Sequence, residues 1–155
     1  MIERFEKFSF AISELYYFLH KITRDEMEKY GLNGPHAIYL IVLHRHKEGI
    51  TSSRLAELSF RNKADVSRAI TLFIEKGLAV RKGGRSYRAS IVLTEKGVAA
   101  AESLRERARI VIGIVGKGLT DEKRGILYES LELIASNMRE LCGENFPEET
   151  NYDKI

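Results

Sequence analysis

Apolar residues near the start of the chain fall at Phe5, Phe8, Ile12, Leu15, Leu19 and Ile22, in steps of 3, 4, 3, 4 and 3. Such steps keep side chains on one stripe of a helix, the seam along which helices pack side by side. One long helix is predicted over 3–29, with no Gly or Pro before Gly31 to interrupt it. Asn33 is a good N-cap and Pro35 is tolerated in a first turn. A second helix should therefore start near Asn33, carry Ala37, Ile38, Leu40, Ile41 and Leu43, and stop at Gly49. Thr51 can cap a short third helix bearing Leu55, Ala56 and Leu58. Asn62 can cap a fourth with Val66, Ile70, Phe73 and Ile74 on its buried side and Gly77 as its stop.

The period then changes to two. Leu78 and Val80 alternate with Ala79 and Arg81, and Ala89, Ile91 and Leu93 alternate with Ser90 and Val92. Between these runs lies Lys82-Gly83-Gly84-Arg85-Ser86-Tyr87, which reads as the tip of a β-hairpin. Helical spacing returns after Thr94, with Ala101, Leu104, Ala108, Val111 and Val115, and Gly113, Gly116 and Gly118 weaken its end. Thr120, followed by Asp121 and Glu122, opens a last helix lined by Leu127, Leu131, Ile134, Met138 and Leu141. The segment after Gly143 is polar and acidic and is expected to fray.

Charge adds a polarity that this pattern does not contain. The net charge of +3 divides unevenly: residues 51–90 hold nine basic and three acidic side chains, a net of +6, and the remainder is −3. A basic middle points to an acidic partner, nucleic acid first, or else to one solvated basic face. With 155 residues, 44% of them hydrophobic and 30% charged, the chain can bury a real core, which excludes whole-chain disorder. Its single Cys excludes an internal disulfide and a four-Cys zinc site. Glu3, Arg4, Glu6, Lys7 and Glu14 break up the first nineteen residues, so neither a signal peptide nor a membrane span is expected there. A cytoplasmic location follows as the expectation, with no membrane partner.

Two short helices, a tight turn and an Arg-rich hairpin make the order of a winged helix-turn-helix. In that module the second helix enters the major groove and the hairpin reaches phosphates or the adjoining minor groove. The candidate DNA-binding residues are Ser52, Ser53, Lys63, Asp65, Ser67, Arg68, Arg81, Lys82, Arg85, Tyr87 and Arg88. Arg68 suits a phosphate or base contact, against a surface charge or an ion pair with Glu75 or the hairpin. Asp65 is either an acceptor from cytosine or a charge favoured at a helix start. Ser52 and Ser53 can donate to phosphate at the start of the third helix.

The runs Leu55-Ala56-Glu57-Leu58, Asn62-Lys63-Ala64-Asp65-Val66-Ser67-Arg68, Ile74-Glu75-Lys76-Gly77-Leu78 and Leu93-Thr94-Glu95-Lys96-Gly97 resemble the MarR (multiple antibiotic resistance regulator) family. The long helices on either side fit that family's plan, so the resemblance covers roughly residues 3–142. It implies a mainly α fold with a small β-hairpin wing, a winged helix-turn-helix held between long N- and C-terminal dimerisation helices. The implied organisation is a dimerisation helix over 1–32, a DNA-binding lobe over 33–94, dimerisation helices over 95–142 and a polar tail over 143–155, all in one integrated domain. The implied function is a homodimeric regulator of transcription, a repressor of a pseudo-palindromic double-stranded operator, released by a small aromatic or phenolic effector. The chain departs from the family in its wing, where Arg85-Ser86-Tyr87 replaces D-x-R, and at Ser59 and Arg61, where apolar residues are preferred.

The implied dimer interface takes Phe5, Phe8, Ile12 and Leu15 from the first helix and Leu127, Leu131, Ile134 and Met138 from the last. The helix periodicity agrees independently, because its apolar stripes exceed what one small core needs. An effector pocket where the dimer helices meet the DNA-binding lobe would be lined by Tyr16, Leu19, His20, His36 and Tyr39, or those side chains simply pack the junction. His36, His44 and His46 lack a convergent Cys or acid pair, so no metal is expected, although a metal-dependent sensor stays as a third reading. The oxidation-sensing branch of the family carries its Cys on the first helix, so Cys142 is expected to be unreactive packing. There is no Gly-rich phosphate loop, nucleophile elbow or Ser-His-Asp frame, so no catalytic residue or cofactor is expected. The alternative from another class is a winged-helix protein-interaction module that does not bind DNA.

Overall fold

The computed structural model describes residues 2–83 and 89–143. Helix α1, Ile2–Glu28, leads through Gly31 (φ +67) into a single 3-10 turn, Gly34–His36, and α2, Ala37–Arg45. Helices α3, Ser52–Ser59, and α4, Lys63–Glu75, are followed by strands β1, Ala79–Lys82, and β2, Ser90–Leu93. Helix α5, Glu95–Val115, and helix α6, Asp121–Leu141, complete the described chain. This is the mainly helical winged helix-turn-helix that the sequence pattern predicts.

Local capping chemistry fixes most helix starts. The side chains of Thr51, Asn62, Thr94 and Thr120 accept hydrogen bonds from the backbone N–H of Arg54, Asp65, Gly97 and Lys123, at 3.2, 2.8, 3.1 and 3.3 Å. Helix α2 departs from expectation at both ends. Asn33 caps the 3-10 turn rather than an α-helix, with its backbone N–H bound to His36 Nδ1 at 3.0 Å. The helix ends at Arg45 because His46 leaves helical geometry (φ −103, ψ 69). The four residues gained let the chain turn through Gly49 (φ +93) and deliver Ile50 to β2. There Ile50 and Ile91 exchange two backbone hydrogen bonds, at 3.2 and 2.8 Å, which add one bridge on the edge of β2 away from β1.

The wing is an antiparallel pair with Ala79 opposite Leu93 and Lys82 opposite Ser90. Its first strand reverses the expected alternation. Ala79 is buried beside Leu78, whereas Val80 is 44% exposed, because the chain enters β1 directly from a turn pinned under α4. Leu78 N–H donates to Phe73 O, and Leu78 O accepts from Thr94 N–H. Thr94 Oγ1 also donates to Gly77 O, and Lys96 Nζ to Lys76 O, so the end of α4, the wing and the start of α5 form one clamp. Gly97 makes the clamp possible, since a Cβ there would lie 1.9 Å from Leu78 O.

The core cluster runs from Met27 on α1, through Leu40, Leu43, Leu55, Val66, Ile70, Phe73 and Ile91, to Ala101 and Leu104 on α5. Ile74, expected inside, is 37% exposed, and Ala69 takes the inward position because the buried face of α4 is centred on Val66, Ala69, Ile70 and Phe73. Beyond Leu104 the stripe of α5 leaves the core, with Ala108 and Val111 half-buried and Val115 exposed, and Ile110, Ile112 and Ile114 off the stripe are exposed as well. Helix α6 buries no residue in its own chain. Cys142, expected to pack, is exposed because it caps the end of that unsupported helix.

Candidate nucleic-acid interface

The two helices of the helix-turn-helix meet at a tight turn, and each starts from a capped, extended residue. Ser52 and Ser53 form the first turn of α3, where the helix dipole and backbone N–H groups favour phosphate. At the start of α4, Asn62 holds Asp65 twice, accepting from its backbone N–H at 2.8 Å and donating Nδ2 to Oδ2 at 2.5 Å. Among the described residues, Arg68 pairs with the same carboxylate rather than with Glu75. Asp65 thus serves the helix start and orients Arg68. Such an exposed i,i+3 pair is worth little in stability, so it leaves the guanidinium exchangeable. Lys63 and Ser67 are exposed on the same helix, and Arg81 and Lys82 are exposed on β1. Arg85, Tyr87 and Arg88 lie outside the described residues.

Beside the interface is a cavity of about 440 Å³ lined by Pro35, His36, Tyr39, Arg61, Asp65, Arg68, Ala69 and Leu72. Of the residues expected around a pocket, His36 and Tyr39 line it. Tyr16 lies one contact away, accepting a 2.7 Å hydrogen bond from Arg61 Nη2, and His20 packs edge-on against Tyr16 with ring centroids 4.2 Å apart. Leu19 is not in the lining and is 59% exposed, because its face of α1 points away from the lobe. The aromatic wall is a cluster: His36 and Tyr39 both pack against Phe73, at 6.0 and 6.5 Å.

Sequence reasoning missed the charged half of this cavity. Arg61, Asp65 and Arg68 come from the turn and α4, and the available signal was Arg61 standing where the family prefers an apolar residue. Burial pushes the His36 imidazole below its usual pKa, and its Nδ1 already accepts from Asn33 N–H. Neutral His36 therefore carries its proton on Nε2. Burial raises the Tyr39 phenol, which stays a neutral donor, and the hydrogen bond to Tyr16 raises Arg61. The cavity offers an aromatic wall, two guanidinium groups and one carboxylate. That is a binding chemistry.

Ser59, the second departure from the family pattern, is buried, and its Oγ is satisfied by donating to Leu55 O at 2.6 Å. Among the described residues, no group of three His, Cys, Asp or Glu is placed to hold a metal ion, and no helix is long and apolar enough to cross a membrane. The face of α1 that carries Phe5, Ile12 and Leu15 is exposed, as are Leu127 and Met138 on α6, while Phe8, Leu131 and Ile134 are half-buried.

The sequence profile of the MarR family matches residues 30–86. A MarR transcriptional regulator from Methanosarcina mazei Go1 shares the fold at TM-score 0.78 and 25% identity, over 88% of this chain and 92% of that one. A MarR-family regulator from Listeria monocytogenes, solved with a 26mer DNA, matches at TM-score 0.76 and 20% identity, over 88% and 95% of the two chains. CouR from Rhodococcus jostii RHA1, solved with p-coumaroyl-CoA, matches at TM-score 0.71 and 19% identity, over 83% and 91%. No curated protein matches the chain.

Proposed function

Because this chain belongs to the MarR family of transcription regulators by its fold and its central segment, we propose that it is a homodimeric, sequence-specific reader of double-stranded DNA that acts as a repressor in the cytoplasm. The observation that carries this reading is the capped start of α4, where Lys63, Ser67 and Arg68 share one exposed end of the recognition helix. The residues near that end meet base edges in the major groove, while Ser52 and Ser53 at α3, and Arg81 and Lys82 on the wing, suit phosphates. Arg85, Tyr87 and Arg88, outside the described residues, complete the set of candidate DNA-binding residues in the sequence. The Listeria relative, solved with DNA, supports the same use of this fold.

Dimerisation rests on the apolar faces that the single chain leaves exposed. Helix α6 is 21 residues long and buries none of them, and α1 and the end of α5 present further large apolar side chains. A second copy covers these faces and sets two recognition helices about one DNA turn apart, roughly 10 base pairs, which calls for a pseudo-palindromic operator.

The effector is a small aromatic acid or phenol. Its ring fits against Pro35, Tyr39 and Leu72, and an acid's carboxylate suits Arg61 or Arg68. CouR, solved with a coumaroyl thioester, supports an aromatic effector in this fold. Arg68 lines the cavity and also stands at the DNA-facing helix end, so an anion that holds it disfavours the DNA-bound state. Tenfold release requires ~1.4 kcal/mol of differential affinity.

A gel-shift titration on the region upstream of the protein's own coding sequence tests the reading. A shift at nanomolar protein that survives excess competitor DNA is expected. The absence of any competition-resistant shift would instead favour a winged-helix protein-interaction module.

A further inference from the structure

Three polar side chains at the start of α4, Asn62, Asp65 and Arg68, stand three residues apart and are joined in series. Asn62 holds Asp65 with both ends of its amide: Oδ1 accepts from the Asp65 backbone N–H at 2.8 Å, and Nδ2 donates to Oδ2 at 2.5 Å. The other carboxylate oxygen, Oδ1, accepts from Arg68 Nη2. Both oxygens of Asp65 are therefore engaged within the protein, which argues against the carboxylate as an acceptor from cytosine. It has the place of a fixed support between the helix cap and the guanidinium.

Arg68 is the group so supported. The outward ridge of α4 carries Ala64, Ser67, Arg68 and Thr71, all exposed, opposite the buried Val66, Ala69, Ile70 and Phe73. The Thr71 hydroxyl donates to Ser67 O at 3.0 Å, so the multiple donor on that ridge is Arg68. A guanidinium has five N–H donors in a rigid fork, and the pair with Asp65 engages Nη2 alone. The fork keeps the two parallel donors that match O6 and N7 of guanine, the base that suits a bidentate arginine in the major groove. We infer that Asp65 is a positioning residue that holds Arg68 for the guanine of one G·C pair in each operator half-site. This rests on the DNA-binding reading above and adds the base that is read and the residue through which the reader is aimed.

The test uses the full-length chain and a duplex that it selects from a random pool, with every base pair of that duplex then replaced in turn. Asp65→Asn keeps an oxygen for Asn62 but turns an amide N–H₂ toward Arg68, and Asp65→Ala removes the support outright. Arg68→Ala is expected to lose about tenfold discrimination at one G·C pair per half-site. Both Asp65 variants should lose about threefold or more at that same pair and little elsewhere. In the Arg68→Ala background they should lose nothing further there, the mark of a residue acting through another. Replacing that guanine by 7-deazaguanine, which lacks N7, should weaken the wild type and leave Arg68→Ala unchanged. Relaxation at a different base pair would make Asp65 a reader in its own right. Equal losses at every position with a lowered thermal midpoint would leave it a helix-start residue only. Tighter binding of all duplexes by the Asp65 variants would mean that the pair withholds Arg68 from DNA. Each of these three results, or indifference of the wild type to 7-deazaguanine, overturns the inference alone, whereas failure to select any duplex sinks the DNA-binding reading and this inference with it.

Discussion

Arg61, in the helix-turn-helix turn, donates a 2.7 Å hydrogen bond from Nη2 to the Tyr16 hydroxyl on α1, and its guanidinium carbon lies 5.9 Å from the centroid of the same ring. The two residues are 45 positions apart, so the contact ties the long N-terminal helix to the segment that starts the recognition helix. Arg61 also lines the aromatic cavity. One side chain thus joins α1, the turn before α4 and the cavity.

Tyr16→Phe removes the acceptor and keeps the ring. A half-exposed hydrogen bond of this kind contributes about 1 kcal/mol, so the thermal midpoint should fall by about 2–4 °C. If the tie also sets the angle between α1 and the lobe, the variant's affinity for selected DNA should fall further than its stability. Calorimetry and anisotropy on the same preparation measure both.

Much of this architecture was legible locally. Thr51, Asn62, Thr94 and Thr120 declare helix starts through contacts three residues away, and Gly77 follows the end of α4 with φ +68. The misreadings have a common physical origin in long-range contacts. Val80 faces outward because Leu78 is fixed by Phe73 and Thr94, and α2 stops early because Ile50 must reach Ile91. Neither constraint lies within a helical or strand period. The aromatic side of the cavity was readable from His36 and Tyr39, but its charged side needs Arg61 and Arg68 brought against them by the fold.

Arg68→Ala should weaken binding to selected DNA by about 1–3 kcal/mol and relax preference at its position. Arg81→Ala should weaken all duplexes alike and reduce the salt slope by about 1, as expected for a lost phosphate contact. Equal losses on specific and unrelated DNA for Arg68→Ala would remove it from base reading.

Leu131→Glu or Leu15→Glu places a charge on the proposed dimer face. Each should convert the protein to a monomer in light scattering and abolish operator binding together. A monomer that still protects a whole palindrome would contradict the assembly.

Glu26 joins α1 to α5, accepting from Lys29 Nζ at 2.6 Å and from Ser103 Oγ at 2.5 Å. Those hydrogen bonds, Lys29 first and Ser103 second, hold its carboxyl below the usual 4.5 despite burial. A lowered folded pKa means that the unfolded chain binds the proton more readily. The stabilisation is therefore complete above about pH 4.5 and is lost as the pH falls through the folded value. Urea unfolding between pH 3 and 7 should show stability dropping at the acid end, and Glu26→Gln should flatten that limb while lowering the neutral plateau.

The central claim is that the basic lobe binds duplex DNA through several phosphates and a dimer's two recognition helices. Its most direct test is the anisotropy of a selected palindromic duplex titrated with the full chain at salt concentrations from 50 to 200 mM. With six or more phosphates neutralised, affinity should fall about 10³-fold or more across that range, along a straight line of log affinity against log salt. A weak complex whose affinity is the same at every salt concentration would contradict the account.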